Sequence, residues 1–296
     1  MPKSRFEIME LIKEQIITEL EEKFNTGEAI SFKNISHLLN TNKVFSILPN
    51  STRIKDIIKF LIDNNIIIPF KHHISKDNFT TKYVFKEVLK YQTPISLRKS
   101  SYLSHYTALF LHGLTENVPK NIYVNKEQSP KKRNRDVDLE QHRIDAAFSR
   151  PMRRTNHIAH FEDFKAYLLA GKHTDNIGVV DTEIDNYKIP VTDIERTLLD
   201  CTIRPGYCGG VEEVLEGYRL AKDDLSVNRL LAYLRKVDYI YPFHQAIGFY
   251  LEKAGYNDHQ LKLVESIDIN YKFYLTYNMD DPGFSKRWQL YYPGHL

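Results

Sequence analysis

Sulfur and tryptophan are scarce in this chain: two cysteines, four methionines and one tryptophan in 296 residues. Cys201 and Cys208 have no second pair at a matching spacing, so they suit neither a zinc site nor a disulfide framework, and they point to a reducing cytoplasm. Long apolar runs are missing too. No stretch of about 18 apolar residues occurs, which argues against a membrane span, and the opening residues lead straight into a charged amphipathic segment rather than a secretory leader. A large charge of one sign is also lacking, since 41 basic residues against 38 acidic ones leave only +3. The total therefore does not announce nucleic acid.

Catalytic signatures are equally sparse. The glycine-rich string Arg204-Pro-Gly-Tyr-Cys-Gly-Gly210 lacks the spacing and the lysine of a phosphate-binding P-loop. No nucleophile elbow and no ordered Cys and His constellation appears. His72 and His73 are adjacent, and neighbours on a strand point to opposite faces, so they do not form a metal pair. No catalytic residue, metal or cofactor is expected. An enzyme reading survives as a metal-dependent nuclease built from Asp181, Glu183, Glu195 and Asp200 with Lys188.

What is present is ordinary globular composition, 42% hydrophobic and 27% charged, in a chain long enough for two modest domains or one large one. The basic charge is unevenly placed. Between Ser31 and Lys90 ten basic residues face four acidic ones, an excess of six, which is larger than that of the whole chain.

That basic segment has a readable order of elements. Phe6, Met9, Ile12, Ile16 and Leu20 trace one helix face that Asn25-Thr-Gly27 ends. A second helix over residues 30–39 is capped at Ser31. A third begins at residues 50–52 and carries Ile54, Ile57, Ile58, Leu61 and Ile62 on its apolar side as far as Asn64-Asn65. Two strand-like runs, 66–70 and 81–85, follow with a polar tip at 71–80. Three helices and a hairpin are the order of a winged helix-turn-helix, assigned to residues 1–90, with double-stranded DNA as its partner. Ser51, Thr52, Arg53, Lys55 and Lys59 then fall on the helix that enters the major groove, and Lys71 and Lys76 on the wing. A protein-docking module of the same shape is the competing reading.

Residues 91–296 form the second expected domain, mixed α/β and ending in a helical portion, so the chain as a whole is α+β. Residues 91–94 suggest a linker. A helix over 104–112 stopped by Gly113 precedes a strand at 121–124. Residues 143–148 suggest a strand, 157–161 an irregular segment and 164–168 a short helix stopped by Gly171. A hairpin over 177–191 with an acidic turn leads into a helix whose Thr192 and Glu195 fit a capping box. Helices at 211–218, 225–237 and 243–254 follow, then a strand at 267–277. The tyrosine and phenylalanine residues gathered between 239 and 256 and between 271 and 277 suit either a core or an interaction surface.

Three strings add a further observation: Tyr102-Leu-Ser-His-Tyr-Thr-Ala-Leu-Phe-Leu-His-Gly-Leu114, Pro119-Lys-Asn-Ile-Tyr-Val124 and Ile189-Pro-Val-Thr-Asp-Ile-Glu-Arg-Thr-Leu-Leu-Asp200. Taken in this order they resemble the AbiEi family of bacterial antitoxins and transcriptional regulators, over about residues 100–255. The resemblance implies a type IV toxin-antitoxin system of abortive infection, a form of phage defence. In it the N-terminal domain represses its own promoter at inverted repeats, and the C-terminal domain neutralises a nucleotidyltransferase-like toxin. The first ninety residues match only in pattern, which leaves operator and partner open. Lys131, Lys132, Arg133, Arg135 and Arg204 are expected to add phosphate or partner contacts. A winged-helix regulator with no toxin beside it is the alternative.

Overall fold

The computed structural model describes residues 3–130 and 139–296. The fold is mixed α and β, and the chain divides into two compact units, one of residues 1–99 with 156–167, the other of residues 100–155 with 168–296.

In the first unit, Ser4 opens α1 (Arg5–Leu11) through a reciprocal cap with Glu7. The expected single helix is divided in two: α2 (Lys13–Glu21) begins after Ile12, whose φ of −105° and ψ of 17° leave the helical region. The amide ladder still runs across the break, from Ile12 N to Ile8 O and from Ile16 N to Ile12 O. Next come β1 (Ala29–Ile30), a two-residue strand not legible by periodicity, and α3 (Phe32–Thr41), capped by Ser31 as expected. A 3-10 turn at Lys43–Ile47 leads to α4 (Ile54–Asp63). α4 starts later than its hydroxyl-rich approach suggested: Arg53 is its first flanking residue, and Ser51 and Thr52 lie in the preceding turn, where Thr52 N donates to Pro49 O.

The hairpin of β2 (Ile67–His73) and β3 (Phe79–Phe85) follows, and β1 pairs antiparallel with β3. The expected linker at 91–94 is instead part of α5 (Gln92–Ser96), with Thr93 and Pro94 buried and Ser96 Oγ accepting from Ala29 N at 2.9 Å. Met9, Ile16, Leu20, Ile35, Leu38, Ile57, Leu61, Ile67 and Phe85 form one buried cluster. Each such side chain contributes roughly 1.5–3 kcal/mol of burial.

The second unit begins with β4 (Tyr102–Leu103), α6 (His105–Leu111), β5 (Asn121–Glu127) and α7 (Gln141–Phe148). α7 corrects the expected strand: Ile144 and Phe148, four residues apart, are buried on one side. The Phe148 ring packs against Tyr241, Phe273, Tyr274 and Tyr277, stacking on the last at 4.5 Å. These aromatic residues are therefore core in large part. The chain then returns to the first unit for β6 (Ile158–His160) and the start of β7 (Lys165–Gly171). The helix expected at 164–168 is thus a strand. Ladder partners Ala159 and His160 on β6 outweigh the helical propensity of its Ala and Leu residues. The first unit's strand order is β1-β3-β2-β6-β7.

β8 (Val179–Ile184) and β9 (Tyr187–Thr192) make the expected hairpin, turning at Asp185 and Asn186, both at positive φ. β4 runs parallel to β9, giving the order β5-β4-β9-β8. α8 (Ile194–Ile203) is buried from Glu195 to Ile203, with α9 (Val211–Leu220), α10 (Val227–Val237) and α11 (Phe243–Lys253) packed around it. Its cap differs from the expected box: Asp193, not Thr192, accepts from Arg196 N at 2.8 Å. Glu195 instead accepts from Ser226 N.

α12 (Asp258–Glu265) follows, and the strand expected at 267–277 shrinks to β10 (Phe273–Tyr274). β11 (Pro282–Ser285) and β12 (Leu290–Pro293) complete a small sheet in the order β10-β12-β11. Trp288, fully buried, lies on Gly248 of α11 so closely that any side chain there would meet its ring. Among the described residues no helix is long and apolar enough to cross a membrane.

Candidate nucleic-acid interface

The basic residues singled out from the sequence gather at two places in the first unit. At the start of α4, Ser51 and Arg53 are exposed, as are Lys55 and, one turn on, Lys59. Asp56 organises this start. It accepts from Arg53 N at 2.9 Å and from Arg5 Nη1 at 2.7 Å, while Arg5 also reaches Ser51 O. The only acidic residue in the first turn of α4 is thereby engaged by a cation from α1. Among the described residues neither Arg53 nor Lys55 has a carboxylate partner, whereas Lys59 pairs with Asp63 at 2.5 Å. The Thr52 hydroxyl is buried, so it does not present itself to a ligand.

Lys55 and Lys59 also border a groove of about 380 Å³ whose floor is Phe32, Ile58, Ile62 and Tyr83. Phe32 is 45% exposed.

The second place is the hairpin, and its tip is shorter than expected. Lys71, His72 and His73 belong to β2, because their backbones pair on both sides, with Thr81, Thr80 and Phe79 on β3 and with His160, Ala159 and Ile158 on β6. Lys71 is exposed on the strand and stands over the Phe79 ring at 5.2 Å. Lys76 is at the true tip, which Ile74 N closes by donating to Asn78 O.

Lys131, Lys132, Arg133 and Arg135 lie outside the described residues. Arg204 is in the second unit, half-buried at the end of α8 rather than in an open loop. It lines a cavity of about 10 Å³ with His105, Asn125, Arg196, Asp200 and Tyr239. That is room for about one water molecule, too little for a nucleotide.

Arg196, at the centre of this region, carried no role in the sequence reading. It is 3% exposed and donates to Asp200, Thr174, the Ile177 carbonyl and Tyr102. The spacing of Arg196 and Asp200, four apart on one helix, is the local signal for it. Nearby, His105 is buried with φ of 53°, a left-handed backbone uncommon outside glycine. Burial, helped by Arg204 and Arg196 and opposed by Asp200, holds its imidazole down at about 4. His112, seven residues on, bonds to Thr192 O through Nε2 at 2.6 Å.

The carboxylates of the nuclease reading have separate surroundings. Asp181 and Glu183 are exposed on β8, with Glu183 opposite Lys188. Glu195 faces Ser226 N and Arg229, and Asp200 faces Arg196. Among the described residues no group of three or more His, Cys, Asp or Glu side chains is placed to hold a metal ion.

No family model and no curated protein matches the chain. Among solved structures, the crystal structure of the RV2827C protein from Mycobacterium tuberculosis is similar, with a TM-score of 0.59 over 95% of this chain and 91% of that one. At 11% identity the likeness is one of fold.

Proposed function

We propose that the N-terminal unit is a winged helix-turn-helix that binds double-stranded DNA, and that the chain is an AbiEi-type autorepressor and antitoxin. The observation that carries the DNA reading is the order of elements together with their pairing. A helical segment, a short strand, two helices and a hairpin follow one another, and the short strand β1 closes onto β3. In such an arrangement the last helix, α4, is the one that enters the major groove by its N-terminal residues, and the hairpin reaches the flanking phosphates. Arg53 and Lys55 stand exposed at that N-terminus without carboxylate partners among the described residues, and Lys71 and Lys76 supply the hairpin's charge.

The test is a gel shift on the DNA upstream of the chain's own gene, with competitor DNA and a salt titration. Arg53→Ala is expected to weaken specific binding by roughly 1–3 kcal/mol, the worth of a base-reading arginine. Lys55→Ala should weaken specific and non-specific DNA alike and lower the salt slope by about one. Wild-type binding by both variants would sink the assignment of α4.

The antitoxin part rests on the three strings between Tyr102 and Asp200. It predicts that the adjacent gene arrests growth when expressed alone, and that co-expression of the full chain restores growth. Arrest that persists beside soluble full-length protein would count against it.

A further inference from the structure

One face of the first unit's sheet carries two rows of side chains that sort by chemistry. Lys71 on β2 is opposite Thr81 on β3 and His160 on β6, and His160 is opposite Lys165 on β7. Two residues along, His73 is opposite Phe79 and Ile158, and Ile158 is opposite Tyr167. Directly opposed residues share a face, and so do residues two apart on one strand. All eight side chains therefore stand on one side of the strands β3-β2-β6-β7. The other side is the buried one, with His72, Ala159 and Ala166.

The first row is cationic and the second largely aromatic. Lys71 and Lys165 are exposed, and among the described residues neither has a carboxylate partner. No Asp or Glu stands in either row. Phe79 is 48% exposed, and Lys71 Nζ is 5.2 Å from the centre of its ring. The rings run on from there: His73 is 5.6 Å from Phe79 and 4.8 Å from His160, centre to centre. Burial first, then Lys165, His73 and Lys71, push the His160 imidazole down, so at neutral pH it is an uncharged ring between two lysines. Cations gathered across neighbouring strands do nothing to hold a sheet together. The row is suited to an anion from outside.

We propose that this face binds single-stranded nucleic acid, with the strand lying across β3-β2-β6-β7. Its phosphates follow Lys71 and Lys165, and its bases stack on Phe79, His73 and His160. The dimensions agree. Residues two apart on a β-strand are about 6.5–7 Å apart, which sets a line of phosphates beside a line of bases. Four strands span about 14 Å, room for about two or three nucleotides. Every base has a flat face, so such a platform accepts many sequences. A duplex keeps its base faces covered by their own stacking and offers this surface its phosphates alone. Lys71 is the one residue shared with the duplex reading, so either reading can fail without the other.

The experiment follows the fluorescence anisotropy of a short labelled oligothymidine strand, and of the matching oligouridine strand, on titration with the full-length protein. Saturable binding is expected, and the comparison of the two strands separates DNA from RNA. Phe79→Ala should weaken it about tenfold, as the loss of one stacked base does. Lys165→Gln should lower the salt slope by about 0.7, the value for one contact to a single strand. Both positions are exposed, circular dichroism establishes that the variants are folded, and each variant tests the face by itself. Arg53→Ala should leave single-strand binding unchanged, which separates this face from the start of α4. Absence of saturable binding to either strand, an unchanged affinity in Phe79→Ala or an unchanged salt slope in Lys165→Gln would overturn the proposal. So would a loss in Arg53→Ala as large as that in Phe79→Ala, because the strand would then sit on the duplex interface.

Discussion

Arg196 shows what a single side chain can hold together when it is removed from water. Its Nε donates to Asp200 at 3.0 Å, and its Nη1 to Thr174 Oγ1 and to the Ile177 carbonyl, both at 2.9 Å; Glu127 lies 3.9 Å from Nη2. Burial by itself would lower the guanidinium's pKa, but Asp200, Tyr102 and Glu127 more than offset this and raise it. Its charge is thus secured by two carboxylates that are nearly as buried, with side-chain exposures of 9% and 7%. Replacing it with methionine keeps the volume and removes the compensation. Arg196→Met is expected to cost about 3–5 kcal/mol, because it strands both carboxylates in a low dielectric. Urea unfolding measures this. A double variant, Arg196→Met with Asp200→Leu, should recover part of the loss, since removing both partners of a buried pair costs less than removing one. A loss below about 1 kcal/mol in the single variant would mean that water reaches the site and screens the carboxylates.

Elements were legible where their ends carry local chemistry and illegible where their identity depends on a distant partner. Ser31 before α3 and Gly113 after α6 mark boundaries from within the sequence, because a cap is a hydrogen bond between residues three apart and a left-handed stop is a property of one residue. β1 is only two residues long and exists because Ala29 and Ile30 pair with Val84 and Tyr83. β7 reads as a helix by composition and becomes a strand through Ala159 and His160 on β6. At α8 the two kinds of information compete. Thr192 and Glu195 have the spacing of a capping box, but Thr192 Oγ1 bonds to Thr197 and Glu195 is drawn to Ser226, which leaves Asp193 to cap the helix and to accept from Tyr233. The candidate DNA residues follow the same division. Arg53 and Lys55 stand at the readable start of α4 and Lys59 one turn on, whereas the sequence puts Lys71 in the hairpin tip because its ladder partner on β6 is almost ninety residues away.

At the scale of the whole molecule, the order of the chain is not the order of its compact units. Residues 156–167 rejoin the first unit after the second has begun, and a reading that moves along the sequence places the boundary near residue 90, where the hairpin ends. The returning segment matters physically because β6 covers the outer edge of β2, pairing with Lys71, His72 and His73, while Phe161 stacks on Phe70 at 4.7 Å. A fragment of residues 1–99 keeps the buried cluster of α1 to α4, and so should keep its helices, but it leaves β2 as an open edge beside an uncovered phenylalanine. Open edges pair with other chains. The fragment is expected to be helical by circular dichroism, yet to self-associate in light scattering and to melt below a version in which a Gly/Ser linker joins residues 1–99 to 156–167. Linker length matters little to this comparison, since each doubling costs only about 0.6 kcal/mol of closure entropy. If the two fragments melt together and both remain monomeric, β6 is a passive neighbour of the hairpin; if the joined version alone is monomeric, the DNA-binding experiments belong on that version, because in the shorter one the hairpin would be occupied by a second copy of itself.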